Sequence, residues 1–122
     1  MARLDTLLDE AEATHSEMQL ALRNKDEKSL RNIIGLRTKF AGHMSEMVGA
    51  VKTDSRLLAN PELAQEFEER FLEVRQKLAQ HQAKYRMASM EENEAEYRQS
   101  VAAVSRLQND FYSWAKGALA RA

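Results

Sequence analysis

Three histidines and nineteen acidic residues are the side chains with chemistry to offer in a chain that has no cysteine. His15 falls within an apolar stripe of helical spacing that also holds Leu4, Leu7, Leu8, Ala11, Met18 and Leu22. His81 falls in a second stripe, with Leu63, Phe67, Phe71, Val74, Leu78 and Tyr85, and His43 sits at the edge of a third. Glu12 and His15 make one Glu-x-x-His, half of what a carboxylate-bridged di-metal bundle draws from two helices, and no second copy occurs. The sequence therefore predicts His15 and His81 as core imidazoles satisfied by a neighbouring acid or carbonyl, with no metal bound. Of the six methionines, Met18, Met44 and Met47 fall on apolar helix faces, where methionine serves as core filler, so no haem and no other cofactor is expected. There is no glycine-rich phosphate loop and no serine on a strand-turn-helix elbow, and the carboxylates fall on the polar sides of helices. A non-enzymatic chain is the expectation.

The elements that would position these residues are helices. One proline and four glycines leave few forced stops, and the composition is rich in Ala, Leu, Glu, Gln, Lys and Arg. A first helix runs from about Leu4 to Asn24, with Asp26 placed to cap a second. That second helix covers about Glu27 to Lys52 and carries Leu30, Ile33, Ile34, Leu36, Phe40, Met44, Met47, Val48 and Val51 on one broad apolar face. Thr53 to Asn60 reads as a connection that ends in Asn60-Pro61-Glu62, a capping side chain, a proline at the first helical position and then an acid, where a third helix must begin. Ser89 and Glu92 have the spacing of a capping box for a fourth helix. The alternative is fusion of helices three and four into one rod of about sixty residues, about 90 Å long. Tyr97, Val101, Val104, Leu107, Phe111, Trp114 and Ala118 then repeat at the spacing of a helix–helix seam. The expected fold is all-α: an antiparallel helical bundle of about four helices, or fewer long helices in hairpins, in a single domain over residues 1–122.

Composition narrows the function classes. Eighteen Lys and Arg against nineteen Asp and Glu give a net charge of −1, with the two signs interleaved, so neither nucleic acid nor an acidic membrane is an expected partner. At 43% hydrophobic and 30% charged residues, the chain is too apolar for disorder and too charged for a bilayer. The absence of cysteine and the acids among the first leucines fit a cytoplasmic protein without a secretory leader.

Two features of the second helix do not serve a plain bundle. Gly35, Gly42 and Gly49 are seven residues apart. At about 100° per residue they form one line nearly opposite the apolar face. Each costs about 1 kcal/mol in a helix relative to alanine, with no return from the chain's own core. Such a line suits the close approach of another helix, from a partner protein or from a second copy. Arg37 points into the apolar face and needs an acid, either within the chain or on that partner. Leu57, Leu58 and Leu72 lie off the main seams and complete the candidate partner-binding residues.

The run Leu22, Asp26, Leu30, Ile33, Arg37, Phe40, Met44 resembles a segment of small bacterial flagellar export chaperones of the FlgN and FliT type, over about a fifth of the chain. The resemblance implies a cytoplasmic chaperone, independent of ATP, that binds the helical C-terminal segment of an export substrate and prevents its early assembly. No substrate-contact residue carries over, and the glycine line departs from that pattern. The alternative is a histidine phosphotransfer domain, a family that shares this size and fold class. There the accepting histidine is followed three residues later by lysine and then by glycine, whereas Glu46 and Met47 follow His43 here. That alternative rests on fold class alone.

Overall fold

A computed structural model describes residues 3–24, 27–84 and 94–122. The fold is all-α, and among the described residues no helix is long and apolar enough to cross a membrane. The helices are α1 (Arg3–Asn24), α2 (Glu27–Thr53), α3 (Ser55–Ala59), α4 (Pro61–Lys84) and α5 (Glu94–Arg121). They divide between two compact units, Met1–Ala64 and Gln65–Ala122, with the boundary one turn into α4.

In the first unit α1 and α2 pack antiparallel, with Thr14 beside His43. Arg3 at the start of α1 reaches Glu46 near the end of α2, 2.7 Å away. Leu4, Leu7, Leu8 and Ala11 of α1 and Ile33, Phe40, Met44, Met47 and Val51 of α2 are buried, the periodicity read from the sequence. Ile34 is a correction, because it is 47% exposed. One residue on from Ile33 turns about 100° around the helix, enough to carry it from the core to the flank. The expected cap Asp26 and the side chains of Leu22 and Leu30, which belong to the chaperone resemblance, lie outside the described residues.

The stretch between α2 and α4 is more ordered than a connection. Asp54 caps α3 by accepting the Arg56 backbone N–H at 2.9 Å, and its carboxylate also takes Nε and Nη2 of the Arg56 side chain at 3.1 and 2.8 Å. Arg56 continues to Asp5 on α1, with Nη2 donating to Oδ2 at 2.6 Å and Nη1 to Oδ1 at 3.2 Å. Asp54 is 3% exposed, and the Arg56 hydrogen bonds hold its carboxyl below the usual carboxylate range. This Asp5–Arg56–Asp54 clamp ties α3 to α1. Asn60 then accepts the backbone N–H of Leu63 at 3.2 Å, so the predicted Asn60-Pro61 boundary opens α4.

The second unit is an antiparallel hairpin of α4 and α5. Phe67 meets Phe111 and Trp114 with centroids 5.5 and 5.8 Å apart, and Phe71 meets Phe111 at 5.8 Å. The same register places Arg70 over Trp114 at 4.5 Å, His81 beside Ser100 and Lys84 beside Glu96 at 2.7 Å. The fused rod of helices three and four is a correction: along one straight helix Phe67 and Phe111 would stand about 66 Å apart, whereas their rings meet. The Ser89–Glu92 capping box and Tyr85 lie outside the described residues. Along α5 the buried arc is wider than the predicted seam. Ser105, Gln108, Tyr112, Ala115 and Leu119 are buried, whereas Val101, Val104, Leu107 and Trp114 are half-buried. The Tyr112 hydroxyl donates to Gln108 Oε1 at 3.2 Å, which removes most of the cost of burying both polar groups.

Candidate functional site

The outer face of α2 is built by a repeat of small residues. Gly35, Thr38, Gly42, Ser45 and Gly49 alternate at steps of three and four, the spacing of a seam against another helix, and all five are exposed. A Cβ added at Gly35, Gly42 or Gly49 would meet nothing within 4 Å. The glycines therefore relieve no crowding among the described residues, and no packing there offsets their helix-propensity cost. Thr38 is turned back on its own helix, with Oγ1 donating to the Ile34 carbonyl at 3.2 Å, which keeps its side chain low over the seam.

The seam has two unlike flanks. One carries Ile34 and Ala41, both exposed, and half-buried Val48. The other carries exposed Lys39 and Glu46, and Glu46 uses only Oε2 to hold Arg3. The sequence reading found the glycines but missed Thr38, Ser45, Lys39 and Glu46. The signal is that Thr38 and Ser45, and Lys39 and Glu46, repeat the same seven-residue step as the glycines.

Among the other expected partner-binding residues, Arg37 is half-buried on the core side of the flank and has an interaction partner. Leu57 is a correction: it is 1% exposed and belongs to the core of the first unit, because the Asp54 cap sets the phase of α3 so that Leu57 turns inward. Leu58 and Leu72 are 67% and 48% exposed. Leu58 stands on α3 in the first unit and Leu72 on α4 in the second.

The histidines occupy interhelical contacts. His43 is half-buried, its side chain 13% exposed, with Nε2 3.2 Å from Thr14 Oγ1 and Nδ1 3.6 Å from Glu10 Oε2 on α1. His81 is half-buried rather than enclosed. Its Nδ1 lies 2.7 Å from Ser100 Oγ, and its ring stacks on Tyr97 at 5.5 Å. His15 is buried, and desolvation lowers its pKa below the ordinary imidazole value, against a smaller opposing effect of Glu12. No group of three or more His, Asp or Glu able to hold a metal ion is found among the described residues. Comparison with protein-family models, with curated proteins and with solved structures gives no match for this chain.

Proposed function

We propose that the chain is a non-catalytic helical interaction module whose α2 outer face receives an amphipathic helix of another protein, in the manner of a flagellar or type III export chaperone holding its substrate. The observation that carries this reading is the openness of all three glycine positions. Three glycines in one helix cost about 3 kcal/mol relative to alanine. Among the described residues that cost has no return, whereas a helix docked along the seam gains close backbone approach and dispersion contacts. A helix is the fitting occupant because the seam repeats at the spacing by which one helix meets another. The near-neutral, interleaved surface favours a protein partner over nucleic acid or membrane.

Calorimetric titration of the chain with helical C-terminal peptides of flagellar axial proteins tests the reading. Saturable binding that Gly42→Leu weakens at least tenfold, about 1.4 kcal/mol, is the expected result. If no such peptide binds, the export-chaperone reading fails; if Gly42→Leu binds as well as wild type, the face is wrong. Phosphotransfer gains no support from His43, whose ring nitrogens face Thr14 and Glu10 in a half-buried contact.

A further inference from the structure

We infer that the helix received on the outer face of α2 is an acidic one, with Asp or Glu near both of its ends and along one border of its contact stripe. The inference rests on the reading above and deepens it by giving the chemistry of the partner.

The argument comes from charge, which is independent of the glycines. The chain as a whole stands at −1, yet α2 carries Lys28, Arg31, Arg37, Lys39 and Lys52 against Glu27 and Glu46. Arg37 is half-buried toward the core, and the other four cations are exposed. None of those four forms an ion pair among the described residues. Glu46, the acid described on the same side, is taken by Arg3 at 2.7 Å. Positive charge therefore runs unspent along the outer side of α2 from Lys28 to Lys52, about 36 Å.

The cations are placed to be read by a helix. The alternation of three and four that builds the seam continues from Gly35 back to Arg31 and from Gly49 on to Lys52, so a cation stands in line at each end. Arg31 and Lys52 are about 32 Å apart, the length of a helix of about 21 residues. Lys39 stands between them on the border that also carries the Arg3–Glu46 pair, while Ile34, Ala41 and Val48 form the apolar border. A polyphosphate matches the cations but leaves half-exposed Ile34 uncovered, and no aromatic residue is exposed along α2 to stack a base. A helix with small apolar residues in its stripe and acids at its ends and on one border matches both. A second copy of this chain does not, because in antiparallel register it opposes Arg31 to Lys52.

Two synthetic helical peptides of about 22 residues test this. Both carry the same alanine and leucine stripe; one has Glu at its ends and along one border, the other Lys at those positions. Calorimetric titration at about 50 and about 300 mM NaCl compares wild type with the triple variant Arg31→Glu, Lys39→Glu, Lys52→Glu, whose folding is checked by thermal melting. Wild type is expected to bind the Glu peptide at least tenfold tighter than the Lys peptide and to lose affinity severalfold at the higher salt, and the triple variant is expected to invert the preference. A wild-type chain that binds neither peptide, a preference that survives in the triple variant, or heparin bound as tightly as the Glu peptide overturns the inference. If both peptides bind alike and Gly42→Leu weakens both, the acidic partner is excluded while the helix-receiving face of the proposed function stands.

Discussion

Replacing Arg56 with alanine removes the centre of the Asp5–Arg56–Asp54 clamp, and the structure sets the size of the effect. Four side-chain hydrogen bonds disappear, two to each carboxylate. The consequences for the two acids differ. The Asp5 side chain is 28% exposed and turns to water at small cost. Asp54, its side chain 3% exposed, keeps its bond to the backbone N–H of residue 56 but loses the Arg56 guanidinium, leaving a largely buried charge without that counterion. A fully buried pair broken in this way costs about 3–5 kcal/mol and an exposed one about 0–1. With Arg56 itself 24% exposed, the expected loss is about 2–3 kcal/mol. Urea unfolding of wild type and Arg56→Ala at pH 7 measures it. The pH dependence supplies a second test. Because the folded-state pKa of Asp54 is depressed, its contribution is present above the unfolded value near 3.8 and is lost as pH falls through the lower folded value. The gap between the two proteins should therefore narrow below about pH 4. Lys is a poor substitute, since an ammonium cannot fork between two carboxylates, so Arg56→Lys should recover less than half. A difference under about 0.5 kcal/mol at pH 7 would show that the clamp behaves as an ordinary surface pair.

His15 gives a pH dependence in the neutral range. Its folded pKa is lowered, so the unfolded chain binds the proton more readily, and stability is full above about pH 6.5 and falls as pH drops toward the folded value. The slope is at most about 1.4 kcal/mol per pH unit, and His15→Gln should flatten it in denaturant midpoints taken from pH 7.5 to 5. Phe111 touches Phe67, Phe71, Tyr112 and Trp114, and Phe111→Ala should cost about 3–5 kcal/mol in urea unfolding, with a change in Trp114 fluorescence. Leu58→Ala and Leu72→Ala on exposed surface should shift stability by no more than about 0.5 kcal/mol.

The parts of this fold that are legible in sequence are those set by local pattern. Leu4, Leu7, Leu8 and Ala11 announce their burial by spacing, and Asn60-Pro61-Glu62 marks the start of α4 because capping and proline act within one turn. The outward line of Gly35, Gly42 and Gly49 follows from helical phase alone. What sequence reading missed depends on distant partners or on residues that do not look like core. The clamp joins Arg56 to Asp5 across 51 positions, and α3 is a single turn whose phase its Asp54 cap determines, so Leu57 turned inward against expectation. Ser105, Gln108 and Ala115 are buried without being large and apolar, so the wide arc of α5 was invisible to a hydrophobic seam. His43 beside Thr14 and Glu10 likewise needed the α1–α2 register.

The seam itself is tested most directly by changing Gly35, Gly42 and Gly49 together to alanine and measuring two quantities on one protein. Because the added methyl groups meet nothing within 4 Å, unfolding at low micromolar concentration should show a gain in stability approaching about 3 kcal/mol. The same methyl groups stand between α2 and any helix lying along it, so binding of a helical partner should weaken at least tenfold, about 1.4 kcal/mol, while the free chain becomes more stable. Opposite signs in stability and binding are the predicted result. A triple-alanine protein that is more stable and binds every partner of the parent with unchanged affinity would contradict the account and remove the α2 face as a docking site.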